Sequence, residues 1–219
     1  MEVHDIIKDI KGKFRLFMNG VISQSMRDKG MDYKLIFGIE VPRLKEIASQ
    51  YEKNHDLAQA LWKENIRECQ ILATMLQPVD TFYPEIAEIW IESMRMPEQA
   101  EQATMHLFQY LPYATDVVFQ WIADERPYFQ LCGYLLMARL FMKDMRLNER
   151  SEAEFLDQAV AAIGSEPSCI QKAASAALRK YGQQSRENAR KVQKVLGALS
   201  QLSRPDVQSL VQEIKNDIE

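Results

Sequence analysis

Prolines placed at the starts of helical segments are the feature that most restricts the fold of this 219-residue chain. Helical periodicity runs through the sequence, and alternating strand patterns are nearly absent. Four prolines each lie within two residues of an apparent helix start, with spacings of 30, 40 and 38 residues: Pro97, Pro127, Pro167 and Pro205. Between them the pattern predicts partner helices over Ala114–Ala123, Ser151–Ile163 and Ser185–Leu202. Helix pairs that recur at such intervals are typical of HEAT-like or armadillo-like solenoids.

We therefore predict an all-α fold, a right-handed α-solenoid of about five or six HEAT-like helix pairs. It would form a single domain over residues 1–219, with N-terminal helices in 1–52 and helix pairs in 53–219. An irregular helical bundle whose loops contain proline is the alternative, and it belongs to the same all-α class.

The N-terminal part of the chain contains two predicted breaks. Apolar residues at three- and four-residue spacing predict a first helix, which Asn19-Gly20 interrupts. Residues 31–41 are irregular, and Pro42 opens the next helix. Further along, Asp56 is the predicted N-cap of a short helix, and Thr81 is the predicted start of another.

Composition excludes several classes of protein. The chain is 47% hydrophobic and 26% charged, and its charges are mixed in sign, which favours an ordered globular fold over disorder. No stretch has the length of a membrane span and no secretory signal is visible, so we expect no membrane association. The three cysteines lie far apart without CxxC spacing, which predicts free thiols and a cytoplasmic location. Histidine spacing and glycine motifs indicate neither a metal nor another cofactor.

Basic residues are concentrated between Ser168 and Val195. This stretch contains one acid, Glu187, and has a balance of +6 in a chain whose total is −4, so the other 191 residues sum to −10. Such a surface attracts anions, which favours phosphate binding. A solvated pair of helices is the alternative. The basic residues are Lys172, Arg179, Lys180, Arg186, Arg190, Lys191 and Lys194.

The same stretch predicts two helices. Pro167 lies at the start of the first, and Gly182 is placed to end it as a left-handed C-cap. Ser185 is the predicted N-cap of the second. On the first helix, the i, i+4, i+7 spacing places Ala176 on one face between Lys172 and Arg179.

Aromatic side chains form a second group of candidates. They could line a groove that stacks on a base, but Trp62 and Trp90 have the spacing of core residues between helices. Trp121 and the pair Tyr128-Phe129 lie near turns, where we expect more exposure.

Two carboxylates occupy the first turns of the helix that begins at Pro97. Glu98 and Glu101 complement the helix dipole there and need no further function. The functional alternative is that one of them stabilises a cationic transition state during cleavage of a glycosidic bond.

Several stretches resemble the AlkD-like DNA alkylation repair family of HEAT-like repeat DNA glycosylases. The first is Phe37–Ala48, with the sequence FGIEVPRLKEIA. Leu61-Trp62 and Arg67–Ala73 continue the resemblance, and Lys172–Tyr181, with the sequence KAASAALRKY, completes it. In helix order the similarity covers nearly the whole chain.

The resemblance implies a curved stack of helical repeats with a concave, basic DNA-binding surface. Enzymes of this family excise cationic alkylated purines such as 7-methylguanine or 3-methyladenine without a cofactor, and are described as doing so without flipping the base. In them a carboxylate stabilises the oxocarbenium-like sugar, and tryptophans contact the deoxyribose. The implied partner is duplex DNA, alkylated or non-specific. We expect a monomer, and a protein partner is also compatible with the sequence.

Four functional positions of the family differ in this chain. The family has a tryptophan four residues before its catalytic aspartate, and these positions fall on Pro97 and Glu101. The arginine-rich turn of the family falls near Gln130–Gly133, which contains no cation. The second tryptophan falls on Ala176.

The sequence thus predicts a DNA alkylation repair protein that binds DNA through the surface from Lys172 to Lys194. Glu101 is the candidate carboxylate for base excision, and a one-residue slip in register would give Glu98 and Gln102 instead. The alternative is a catalytically inactive HEAT-repeat scaffold that binds a protein or structured nucleic acid. Loss of both tryptophans favours that alternative.

Overall fold

A computed structural model describes residues 2–165 and 167–218, which form thirteen α-helices. Their bounds are α1 Val3–Phe17, α2 Gly20–Asp28, α3 Val41–Ala48, α4 His55–Lys63, α5 Arg67–Leu76, α6 Pro84–Ser93, α7 Pro97–His106, α8 Ala114–Ile122, α9 Pro127–Met142, α10 Glu149–Ser165, α11 Ser168–Gln183, α12 Arg186–Leu199 and α13 Pro205–Ile218. Short 3₁₀ turns occur at Val79–Thr81 and Phe108–Tyr110. An isolated β-bridge between Leu35 and Ile66 is the extent of strand-like pairing in the described part of the chain. The all-α prediction is confirmed.

Several pairs of consecutive helices pack against each other. The chain divides into two compact units, Met1–Pro112 and Tyr113–Glu219. In the first unit, α4 packs on α5, and α3, α5 and α7 pack side by side. In the second, α8 packs on α9 and α10 on α11, while α9, α11 and α13 form one layer and α10 and α12 lie together in another. A single solenoid domain over 1–219 stays a prediction.

Stacked tryptophans form the core of the first unit. The rings of Trp62 and Trp90 are parallel, with centroids 4.1 Å apart, and both side chains are buried. Each indole N–H donates a hydrogen bond, from Trp90 to Gln59 at 3.0 Å and from Trp62 to Ser93 at 2.9 Å. The core assignment of these two tryptophans is confirmed.

The expectation of exposure near the turns is wrong for two of the three residues. Trp121 and Phe129 are buried, whereas Tyr128 is half-buried. The reason is that the helix after Pro127 packs closely on the preceding one: a Cβ added to Gly133 would lie 2.7 Å from the Ile122 backbone nitrogen. Because the two helices approach so closely, Trp121 and Phe129 are buried although both lie beside a turn in the sequence.

Helix ends also differ from the sequence predictions. Asn54 rather than Asp56 caps α4, accepting the Leu57 N–H at 2.8 Å, and Asp56 lies in the first helical turn. Thr81 ends a 3₁₀ turn, and α6 begins at Pro84. Gly182 lies inside α11, where a Cβ would come within 2.7 Å of an Ile218 side-chain carbon. Gly182 therefore permits close packing of α13 and is not a C-cap.

The segment from Tyr33 to Glu40 is held against the start of α2. Asn19 caps that helix by accepting the Val21 and Ile22 N–H groups, each at 3.1 Å, and its own N–H donates to the Phe37 carbonyl at 2.8 Å. Gly38 has a φ of 74°, and a Cβ there would lie 2.3 Å from the Asn19 carbonyl oxygen. Both the backbone conformation and the available space therefore require glycine.

No described helix is long and apolar enough to cross a membrane.

Replacing Gly38 by alanine is expected to lower the free energy of unfolding by about 3 kcal/mol or more, because left-handed strain and a backbone clash add. Gly12→Ala is the matched control, since Gly12 lies in α1 with nothing within 4 Å of an added Cβ. That change should raise the free energy of unfolding by about 0.5–1 kcal/mol. Denaturant titration of both variants tests the pair, and equal stabilities would contradict the assignment.

Candidate nucleic-acid interface

A row of three exposed cations follows the outer face of α12. Arg186, Arg190 and Lys194 recur at i, i+4 and i+8, and all three side chains are exposed. Ser185 caps the helix as predicted, accepting the Asn188 N–H at 3.0 Å. Within the described residues, none of the three cations forms an ion pair. The opposite face packs through Val192, Leu196 and Leu199, so the row faces away from the core.

Two other predicted cations are partly neutralised by acids. Arg179 donates to Asp217 at 2.9 Å. The Lys191 ammonium lies 2.8 Å from Glu187 and 2.9 Å from Glu152, and hydrogen bonds to these two carboxylates raise the pKa of Lys191. The fields of both basic groups are therefore offset by adjacent carboxylates.

The remaining two predicted cations lie on α11. Lys180 is half-buried and donates to Gln183 at 3.0 Å, and Lys172 is exposed one turn before Ala176. Ala176 itself is half-buried, so the helix presents a small side chain between Lys172 and Arg179 as the sequence predicts.

A groove of about 620 Å³ runs beside the first half of α12. Arg186 and Arg190 line one wall, and Gln183 and Asp217 contribute from α11 and α13. Lys172 and Lys194 lie outside this groove. The structure therefore brings two of the seven predicted cations to one concavity, and the other five lie elsewhere on α11 and α12.

The carboxylates at the start of α7 have different environments. The Glu98 carboxylate accepts hydrogen bonds from two nitrogens of Arg67, with Nη2 to Oε1 at 2.7 Å and Nε to Oε2 at 2.9 Å and to Oε1 at 3.1 Å. The Tyr33 hydroxyl also donates to it at 3.4 Å. Burial, followed by the negative charge of Glu98, raises the pKa of Tyr33. Glu98 is thus committed to a buried ion pair and is not available to a substrate.

Glu101 lies one turn further along and is exposed. Partial desolvation, followed by the charge of Glu98, raises the pKa of the Glu101 carboxyl. No ion pair or hydrogen bond to its side chain occurs among the described residues. The structure places this carboxylate where solvent or a ligand can reach it.

Sequence reasoning missed the ion network that fixes these positions. Glu68 is fully buried and accepts backbone N–H groups from Phe37 and Gly38 at 3.0 Å and from Ile39 at 3.3 Å. Arg67 donates to Glu68 at 3.2 Å and to the Ile39 carbonyl at 2.9 Å. The available signal was the adjacent pair Arg67-Glu68 in a helix that is otherwise largely apolar.

The stretch Gln130–Gly133 supplies no cation. Leu131, Cys132 and Gly133 are buried, and Gln130 lines a cavity of about 250 Å³. Burial raises the pKa of the Cys132 thiol, and burial raises that of Cys69 to about 12. Neither thiol can therefore act as a thiolate nucleophile at neutral pH.

In residues 2–165 and 167–218, no group of three or more potential metal ligands occurs.

Comparison with known proteins gives a family and a fold. The family model described as DNA alkylation repair enzyme matches residues 12–206. The chain also matches a solved structure described as "A new family of proteins related to the HEAT-like repeat DNA glycosylases with affinity for branched DNA structures". The TM-score is 0.79 at 14% identity, over 99% of this chain and 95% of that one. Comparison with curated proteins gave no match. At this identity the structural match establishes the predicted HEAT-like fold.

Replacing Arg67 by methionine should lower the free energy of unfolding by about 3–5 kcal/mol, because it leaves the buried Glu68 and the half-buried Glu98 without their counter-charge. Arg15→Met is the control, since Arg15 is exposed at the end of α1, and it should cost about 1 kcal/mol at most. Denaturant titration distinguishes the two. A small loss at Arg67 would mean that the network contributes little to stability.

Proposed function

Since the chain belongs to the DNA alkylation repair enzyme family, we propose that it binds DNA through the α11–α12 surface, defined by Lys172, Arg179, Lys180, Arg186, Arg190, Lys191 and Lys194. The observation that carries this proposal is the row of Arg186, Arg190 and Lys194 on the exposed face of α12. Arginine and lysine side chains that are not committed to acids contact phosphates without reading base sequence.

The spacing of the row suits a phosphate backbone. Eight helical residues span ~12 Å along the axis, so adjacent cations are ~6 Å apart. Successive charges along one DNA strand are separated by roughly 3.4 Å of helix axis, so the row can follow a few phosphates on one strand. Arg179 and Lys191 add less, because Asp217, Glu187 and Glu152 offset their charges.

We propose branched or otherwise non-linear duplex DNA as the preferred partner. The solved structure that the chain matches is described as having affinity for branched DNA structures. Phosphate contacts from one helix face are compatible with such a ligand, because they require no continuous duplex and no particular sequence.

The double variant Arg186→Gln/Arg190→Gln should bind DNA at least roughly tenfold more weakly than the wild type near 0.1 M salt. Because two phosphate contacts are lost, the slope of the logarithm of the association constant against the logarithm of the salt concentration should become less steep by about 1.8. The control Arg146→Gln/Arg150→Gln makes the same change in net charge at exposed residues outside this surface. Fluorescence anisotropy over a salt series measures both. Equal slopes for the two variants would contradict the proposal.

Excision of a cationic alkylated purine is a second candidate function, and the accessible, unpaired carboxylate of Glu101 favours it. In such a reaction the C1′–N bond breaks and its electron pair passes to the purine, which leaves as a neutral base. A nearby carboxylate stabilises the resulting oxocarbenium-like sugar until water adds to C1′. Glutamate can supply that charge, although its extra methylene displaces the oxygens relative to aspartate.

If Glu101 has this role, wild-type protein will release 7-methylguanine or 3-methyladenine from methylated duplex DNA faster than the spontaneous rate. Glu101→Gln should reduce that release by about 100-fold or to background, by loss of the charge that stabilises the transition state. Glu88→Gln, an exposed glutamate on α6, is the matched control and should leave release unchanged.

Two other outcomes separate the remaining alternatives. Binding without release would identify a DNA-binding protein that lacks the chemistry. Neither binding nor release would favour the catalytically inactive scaffold, with a protein or structured nucleic acid as its partner.

A further inference from the structure

The turn between α1 and α2 presents a cluster of exposed apolar side chains. Leu16, Met18 and Val21 are 80%, 60% and 82% exposed, and Phe17 is 42% exposed. We call the segment Leu16–Val21 the apolar tip. Contiguous exposed apolar residues on a soluble protein mark an interaction site more often than chance placement, and neither DNA binding through α11–α12 nor excision at Glu101 uses them.

The apolar tip is held in place by backbone contacts. Asn19, at its centre, donates to the Phe37 carbonyl and caps α2 with its side chain. The Phe14 and Phe37 rings pack beneath it with centroids 5.4 Å apart. Because Gly38 leaves room for the Asn19 carbonyl, the tip is fixed against the segment that Glu68 orders. Its aliphatic side chains therefore project from a pre-organised turn.

Basic residues outnumber acids in the sequence on either side of the apolar tip. Residues 10–27 contain four basic residues and no acid. Two of these are committed, Lys11 to Glu64 and Lys13 to Asp9, whereas Arg15 is exposed immediately before the tip. The Arg43 guanidinium lies over the Phe17 ring at 4.7 Å while it also pairs with Glu46. Arg15 thus has no acid partner among the described residues, unlike Lys11, Lys13 and Arg43, and the local chemistry is an apolar turn beside one uncompensated positive charge.

We propose that the apolar tip is a wedge that packs against unstacked bases at the branch point of a DNA substrate. This inference rests on the proposed DNA-binding function, and it describes how the protein would recognise the branch point of its DNA substrate. Aliphatic side chains inserted at an opened base step replace lost stacking contacts, and flanking arginines contact the adjacent phosphates. A linear duplex offers no such opening, so the wedge favours branched DNA.

The shape and charge of the tip favour bases over other partners. Four side chains on a projecting turn fall short of the ~800 Å² that each partner of a stable protein interface buries. The exposed Arg15 is complementary to a phosphate backbone, and two copies of it would repel each other in a symmetric contact.

The test compares a four-way DNA junction with a linear duplex of the same sequence and length, with 2-aminopurine at the branch point. The tip variant is Leu16→Ser/Met18→Ser/Val21→Ser. The control variant, Tyr83→Ser/Ile89→Ser/Met142→Ser, removes three side chains of comparable exposure, at 60%, 62% and 56%. We expect the tip variant to lose roughly tenfold in junction affinity, to lose the 2-aminopurine fluorescence change, and to keep duplex affinity within about twofold.

Each other outcome overturns the wedge. The wedge is contradicted if the tip variant still prefers the junction, or if the control variant loses that preference equally. Either result leaves the DNA-binding function standing. Wild-type binding with no preference for the junction would also overturn the wedge and leave DNA binding standing. A wild-type protein that binds neither DNA form would overturn the DNA-binding function and the wedge together. Tip-dependent self-association in sedimentation, or tip-dependent binding to anionic vesicles with junction affinity unchanged, would identify a different occupant.

Discussion

The buried guanidinium of Arg67 is the interaction on which the first compact unit depends. It joins Glu68 on its own helix, Glu98 on α7 and the Ile39 carbonyl of the segment before α3. A buried charge is tolerated only when hydrogen bonds and counter-charges satisfy it, so these three parts of the chain must be correctly placed together. The same contact has a chemical consequence. Because Glu98 is engaged by Arg67, the helix at Pro97 offers Glu101 as its accessible carboxylate, and the two adjacent acids are separated into a structural and an available group.

The basic residues of the second unit also form two groups, one paired with acids and one available to a ligand. Acids on neighbouring helices hold Arg179 and Lys191, which strengthens packing of α11 and α12 against α13 and α10 but reduces the field that a ligand would meet. The row on α12 faces away from those helices and keeps its charge for solvent or a ligand. A balance of +6 in the sequence therefore overstates the number of cations that can contact phosphates, and the row Arg186–Arg190–Lys194 is the part that contributes most directly.

Periodicity was sufficient to predict the helical class and most helix positions, because an apolar face repeats along each helix whatever its partner. Local signals were weaker where two of them competed. Asn54 and Asp56 are both good caps, and the structure uses the first; Gly182 has the composition of a C-cap but serves close packing with Ile218. The burial of Trp121 depends on the approach of α9 to α8, and the partner of Glu98 lies 31 residues away. Contacts of this range are set by tertiary packing, and no local pattern contains them.

Some of the stretches that resemble the family build a network that stabilises the fold, whereas the candidate catalytic residue Glu101 lies elsewhere in the chain. Residues 37–48 and 67–73 carry much of the similarity, and they build the Glu68 and Arg67 network, where Gly38 and the buried charges leave little freedom. The positions at which the resemblance predicts a departure from the family, Pro97, Glu101, Gln130–Gly133 and Ala176, make none of the hydrogen bonds of that network. Similarity in residues that build a stability network is evidence of a shared fold, but it gives little information about catalysis. DNA binding through exposed cations demands less positional precision than glycosidic-bond cleavage. It can therefore persist with the scaffold in a chain that lacks the tryptophans to which the resemblance assigns sugar contact, which is why we rank binding above excision here.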